Sequence, residues 1–310
     1  MNKNLLHIPV LVDQVLKYLE INPSGTYVDC TLGGGSHSYQ ILSRLGKDGK
    51  IIGLDWDDQA IEIAGQKLQS FGDKYKIIKS NFASVKDVLL AEGISGVNGI
   101  LLDLGTSSFQ IDIHDRGFSY LAEGPLDMRM SRETKRTAAD ILNAESQSQL
   151  SWIFKNYGEE RRSNAIARAV VKKRQQKVIE TTKQFTNIIE SVTPFVKRIK
   201  TLARCYQAVR IATNFELENL QCFLDQSIDL LLPGGRLVII SFHSLEDRLV
   251  KNFLNRQANP CECPSELPYC VCNKKPTIKI LTRKVVTPSN EEIQHNSRSR
   301  SSKLRSCEKF

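Results

Sequence analysis

Apolar and polar positions in the first hundred residues switch repeatedly between a helical and an extended period. Val12, Val15, Leu16 and Leu19 share one face of a helix predicted over residues 11–20. "TYVDC" then reads as a short strand and "HSYQILSRL" as a helix, joined by a run of glycines. "GKIIGLDWD" is a second strand, and "QAIEIAGQKLQS" a helix with Ala60, Ala64 and Leu68 recurring every four residues. "YKIIKSNF" is a third strand, "SVKDVLLAEG" a helix, and "VNGILLDLG" a strand too uniformly apolar to face water on either side. This β-α-β-α-β-α-β run predicts a parallel sheet with right-handed crossovers.

The alternation then stops. From 133 to 228 the patterns are helical: "AADILNAES", "QLSWIFKNYG", "RSNAIARAVVKKRQQ", "TKQFTNIIESV" and "NFELENLQCFLDQSIDLL". Sheet periodicity returns at "PGGRLVIISFHS", where the Pro-Gly-Gly turn leads into an apolar strand, and "TIKILTRKVV" and "SSKLRSCEKF" supply two candidates for the last strands. The economical reading is one α/β sheet interrupted by a mainly helical insertion.

Charge sharpens that division. The net charge is +9, yet residues 129–210 hold 18 Lys and Arg against 7 Asp and Glu, and residues 274–310 hold 10 against 3, so the remainder is acidic. A concentrated basic insertion predicts a polyanionic partner. Arg161, Arg162, Lys172, Lys173 and Arg174 represent it, although charge runs on helices are commonly only solvated faces. No apolar run is long enough to span a membrane, and the first residues lack a signal-peptide pattern, so a cytoplasmic location is expected. The eight cysteines then belong to a reducing compartment, where bridges are rare. Cys261, Cys263, Cys270 and Cys272 could bind zinc tetrahedrally, but C-x-C is tighter than the common C-x₂-C; thiols and a metal site both stay open, and no metal ligand is assigned.

The glycine run carries the candidate chemistry. No P-loop string occurs, and the dinucleotide fingerprint is half met, with Gly33 and Gly35 in place and Ser38 where a third glycine belongs. Glycines admit positive φ and let backbone amides approach a ligand at the start of the following helix. Asp55 ends the second strand 20 residues after Gly35, where an acidic side chain accepts the hydroxyls of a ribose diol. Asp29, just ahead of the glycines, would repel a pyrophosphate and suit a cationic amine or sulfonium. S-adenosyl-methionine combines such a cation with a nucleoside; Phe82 would face its adenine, with Asp103 opposite.

The strings "HIPVLVDQVL", "VDCTLGGGSHS", "GILLDLGTSSFQID", "RGFSY", "GPLDMRM", "YGEERRSNAIARAVV", "YQAVRI", "LPGGRLVIISFHSLEDRLVK" and "SRSSKLR" together resemble the bacterial small-subunit ribosomal RNA methyltransferase H family, over about residues 7–305. The resemblance implies a Rossmann-like methyltransferase sheet, residues 1–114 and 211–310, with an inserted helical RNA-binding domain, residues 115–210. It implies transfer of a methyl group from S-adenosyl-methionine to the N4 amine of a decoding-region cytosine in 16S ribosomal RNA, with the small ribosomal subunit as the expected partner. It also implies cofactor contacts at Gly35, Ser36, His37, Asp55, Phe82, Asp103 and Gln110. Cys30 and Ser36 replace the family's usual glycines, Phe109 replaces a proline, and "TLARC" stands for "HPATR", leaving Arg204 and Gln207 but not the His and Pro.

Methylating a cytosine amine is an in-line displacement by a weak nucleophile, whose lone pair is delocalised into the ring. An acceptor that binds its N–H groups helps, and alignment supplies much of the rate. Asp103 is the candidate catalytic group, its contact with cofactor or amine undecided. His243 is open as a substrate contact or a structural donor, Asp127 and Arg129 as site residues or a structural pair, and Met128 and Met130 read as packing. Two rival functions are a nicotinamide oxidoreductase, disfavoured by Asp29 and Ser38, and a non-catalytic RNA-binding protein on a methyltransferase scaffold.

Overall fold

The computed structural model describes residues 9–105, 114–264, 269 and 271–310. They divide into two compact units, one formed by the described residues up to 105 and from 218 onward and the other by those between 114 and 217.

The first unit holds α1 (Val12–Leu19), β1 (Thr26–Asp29), α2 (Ser36–Leu42), β2 (Lys50–Asp55), α3 (Asp58–Leu68), β3 (Tyr75–Lys79), α4 (Val85–Ala91) and β4 (Val97–Asp103). The sheet order is β3-β2-β1-β4-β5-β7-β6, once β5 (Leu231–Ser241), β6 (Ile278–Ile280) and β7 (Lys303–Lys309) have joined. β1 to β5 pair in parallel, whereas β7 runs antiparallel to both β5 and β6. The sheet is therefore mixed.

Each strand serves two cores because its side chains alternate faces. Val28, Ile52, Leu54, Ile100, Leu102, Leu237 and Ile239 point to one side, where Val85 and Leu89 of α4 pack with Phe223 and Phe253. Tyr27, Ile51, Leu101, Val238 and Ile240 point to the other, against Val15, Leu19, Ile41 and Leu68. The helices carrying Phe223 and Phe253 are Glu216–Ser227 and Ser244–Ala258. Every such side chain, fully buried, contributes about 1.5–3 kcal/mol. The order reverses between β1 and β4, since the chain moves outward from β1 to β2 and β3 and then returns to β4 on the opposite flank. In a doubly wound sheet, ligands bind beyond the carboxyl ends of strands at that reversal.

The second unit is helical: α5 (Ala138–Ala144), α6 (Gln147–Asn156), α7 (Ser163–Arg174), α8 (Thr182–Ser191) and α9 (Arg198–Asn214). Its starts are written in the sequence. Thr137 and Asp140 form a capping box, as do Thr181 and Gln184, and Ser146 caps α6. Its core gathers Phe154, Phe185 and Tyr206, with the two Phe rings stacked at 6.2 Å between centroids. α9 was absent from the periodicity because it buries polar and apolar positions alike, Thr201, Thr213 and Asn214 beside Leu202 and Val209, so no single stripe marks it. It runs unbroken through residue 210, and the fall in basic charge there is not a break in the chain's architecture.

In chain order, the helix Glu216–Ser227 is α10, Ser244–Ala258 is α11 and Asn290–His295 is α12.

Candidate functional site

β1 ends at Asp29, and the chain turns there through Gly33 and Gly35 into α2. Both glycines lie in the left-handed region, at φ 51° and 74°. A Cβ on Gly35 would also press on the Ala64 side chain of α3 at 3.2 Å, so conformation and packing both demand glycine. Asp29 is 1% exposed and sits beneath this bend rather than open to a ligand. One oxygen accepts the Ser38 hydroxyl at 2.7 Å and the other the Thr31 amide at 3.3 Å. Burial pushes its pKa up to about 6, with the Ser38 and Thr31 hydrogen bonds resisting. Ser38, which spoils the third-glycine position of the fingerprint, is thus the residue that ties α2 to β1.

Asp55 closes β2 and accepts from Gly33 at 2.8 Å and from the Asp57 amide at 2.9 Å, one bond to each oxygen. A carboxylate has further lone pairs, so acceptor capacity is left for a diol. Burial again raises its pKa to about 6, opposed by the amides of Asp57 and Gly33. Ser36, at the start of α2, accepts from Lys67 Nζ at 2.6 Å. Phe82 follows β3 and lies edge-on to Phe223, 6.0 Å between centroids.

The third strand end supplies the unusual electrostatics. His37 is buried, with Nε2 at 2.9 Å from the Val10 carbonyl. A carbonyl only accepts, so Nε2 carries the hydrogen and Nδ1 presents its lone pair to Asp103 Oδ2 at 3.6 Å. Burial drives the imidazole pKa down to about 4, leaving it neutral at pH 7. Asp103 is pushed the other way, well above the ordinary carboxylate range, by burial first and then by the charges of Asp29 and Glu246. Its backbone amide is anchored on Thr31 Oγ1 at 2.6 Å. Among the described residues its Oδ1 is buried without a hydrogen-bond partner. Two acceptors facing each other and a third buried oxygen call for a proton, a cation or an N–H donor.

The strand ends therefore bring together Asp29, the glycine bend, His37, Asp55 and Asp103, on the adjacent parallel strands β1, β2 and β4 and the start of α2. Gln110 lies outside the described residues. Thr31 and Glu246 were missed in the sequence. Glu246 is 2% exposed and accepts the amides of Phe242 and His243, at 2.8 and 3.3 Å, where His243 caps α11. The histidine at i and glutamate at i+3 were the available signal, a capping box written without serine or threonine.

In the helical unit, Arg161, Arg162, Lys172 and Lys173 are exposed at the start and last turn of α7. Arg174 is not equivalent to them, because its Nη1 donates to the Leu142 carbonyl at 2.7 Å and so closes the end of α5. Arg204 faces the buried Glu160 at 3.5 Å, and Gln207 donates to the Tyr157 carbonyl at 3.0 Å. Asp127 and Arg129 form a two-pronged pair, 2.7 and 2.9 Å, between buried Met128 and Met130.

The chain matches the sequence model of the MraW methylase family over residues 4–310. It is 47% identical over 306 residues to a ribosomal RNA small subunit methyltransferase H of Carboxydothermus hydrogenoformans, covering 98% of each chain. The protein of the same name from Symbiobacterium thermophilum is 45% identical, over 98% of this chain and 96% of the relative. That of Fusobacterium nucleatum is 44% identical, over 99% and 98%.

Proposed function

The chain belongs to the MraW methylase family, and from that premise we propose that it methylates the N4 amine of a decoding-region cytosine in 16S ribosomal RNA. Membership makes it an S-adenosyl-methionine-dependent methyltransferase of small-subunit ribosomal RNA, and leaves the nicotinamide alternative without support. The base, the atom and the acting residues are the further content of the proposal. So are the assembled small subunit as the form of RNA bound and the cytoplasm as the place of work.

The observation that carries it is the buried, unpartnered Oδ1 of Asp103. The residues present fit S-adenosyl-methionine: the acidic surroundings of Asp29, Asp103 and Glu246 favour a cationic ligand. Asp55 would hold the ribose hydroxyls, Phe82 would border the adenine, and the bend from Gly35 through Ser36 to His37 would lie along the ligand. Bound there, the cofactor supplies an electrophilic methyl group. Asp29 acts through its field and by holding the bend, since both of its oxygens are engaged within the protein.

Asp103 would accept a hydrogen bond from the cytosine amine and then its proton. Once ionised, a carboxylate whose pKa is raised by burial and neighbouring charge is a better proton acceptor than an ordinary one. His37 faces it: with its Nε2 hydrogen donated to Val10, the imidazole turns only a lone pair toward Asp103 Oδ2 at 3.6 Å and is placed to accept a hydrogen bond once Asp103 is protonated. Arg161, Arg162, Lys172 and Lys173 would grip phosphates, with Arg174 adding charge from a fixed position. The target cytosine must be unpaired or flipped out to reach the carboxylate.

The test uses small subunits from a strain lacking this methylation, labelled methyl donor, and mass-spectrometric mapping of the digested RNA. N4-methylcytosine at one position is expected. Label on another base or atom removes the proposed chemistry, and cofactor binding without label favours the non-catalytic scaffold.

A further inference from the structure

Between α11 and β6, the described residues of the span 259–277 form no helix or strand and bury no apolar side chain. Connections longer than about 12–15 residues without secondary structure are uncommon and need some other source of order. Here the Sγ atoms of Cys261, Cys263 and Cys272 all lie within 4.8 Å of one another. Tetrahedral thiolates at about 2.3 Å from zinc stand about 3.8 Å apart, and sulfurs gathered within 4.8 Å of one another are compatible with one face of such a site. A disulfide, by contrast, joins two sulfurs at about 2.05 Å and gives no reason for a third to converge.

A neighbouring contact points the same way. The Val271 amide donates to Cys263 Sγ at 3.3 Å, a bond that favours a thiolate over a thiol. Lys274, two residues beyond Cys272, is ion-paired with Glu262, which lies between Cys261 and Cys263. The remaining cysteines show no such convergence; Cys30, Cys205 and Cys307 are buried singly and Cys222 is exposed on α10. Cys270 lies outside the described residues.

We propose that Cys261, Cys263 and Cys272 bind a zinc ion that orders the 259–277 loop. Soft thiolates and a tetrahedral spacing select zinc over magnesium or calcium. Each thiol gives up its proton on binding, so affinity falls as the solution is acidified. The ordering has a consequence close at hand. Asn259 and Pro276, the two feet of the loop, line a cavity of about 460 Å³ together with the basic side chains of Lys251, Lys279 and Arg283. The ion would fix one wall of that cleft.

The experiment uses the full chain, purified with reductant and without chelator, and measures zinc, iron and copper. About one zinc per chain is expected. The double variant Cys261→Ser/Cys263→Ser should fall to background while Cys222→Ser keeps its metal. Cobalt(II) added to the stripped wild-type protein should give thiolate charge-transfer absorption and strong tetrahedral d–d bands, both lost on adding zinc. Trypsin should cut after Lys274 faster once the metal is stripped. Wild-type protein without zinc and without the cobalt charge-transfer band overturns the site, as does iron or copper in place of zinc or equal loss in Cys222→Ser. An unchanged tryptic rate overturns the ordering role. Should the double variant be insoluble, the wild-type cobalt spectrum decides. None of these readouts depends on methyl transfer.

Discussion

The strand ends around the glycine bend and the helices between 138 and 214 handle charge in opposite ways. At the bend, Asp29, Asp55, Asp103 and His37 are largely withdrawn from water, and burial displaces the pKa of each. In the helical unit, Arg161, Arg162, Lys172 and Lys173 stay exposed around an apolar core. Buried charge is costly, and a fold keeps it where chemistry needs a particular protonation state. Exposed charge is inexpensive and acts by number. One region should therefore depend on individual atoms and the other on a sum.

The contrast is most exposed to failure at Asp103. Asp103→Asn should lower kcat/KM for subunit methylation on the order of 10²- to 10³-fold, since it removes the proton acceptor and keeps the shape. If its loss were no greater than that of Arg161→Ala, the distinction between the two regions would collapse. Asp55→Ala comes next. Losing charged acceptors for the ribose hydroxyls should weaken S-adenosyl-methionine binding about 10- to 100-fold by calorimetry.

A pH series sharpens the same point. Asp55 and Asp29 have pKa values raised to about 6, so both are mostly ionised at pH 7 and protonate below about 6. Cofactor affinity should hold above that pH and fall on acidification, as the diol loses its anionic acceptor. Their contribution to folding stability has the opposite sign. A raised carboxylate pKa favours the folded state fully below the unfolded value, near 4, and that contribution is lost as pH rises through about 6. Affinity titrations and denaturant melts of wild type and Asp55→Asn over the same range should therefore diverge.

The smallest effects belong to the helices. Arg161→Ala, Lys172→Ala and Lys173→Ala should each weaken subunit binding by roughly four- to sixfold near physiological salt and reduce the slope of log affinity against log salt by about 0.7–0.9. A single substitution among them with an effect above tenfold would mean a specific contact rather than a shared field.

How much of this was legible depended on what kind of constraint each residue answers to. Asp55 and Asp103 sit at strand ends, and strand ends follow from apolar runs, so their places were readable. The glycine bend was readable because positive φ leaves few other residues. Asp29 was placed correctly along the chain, but its partners were not visible, because a hydrogen bond to Ser38 across a turn leaves no periodic trace. Arg174 shows the same limit: composition assigns it to a basic run, while only the packing of α5 on α7 commits it to a carbonyl. The direction of β7 was likewise unreadable, since alternation is the same for parallel and antiparallel pairing.

β7 lies between β5 and β6, yet it is the last of the three to leave the ribosome. β6 pairs with β7 and so has no neighbour waiting when it emerges. Chain order and sheet order are out of step here, so β6 can take its place only after β7, which lies further along the chain, has docked on β5.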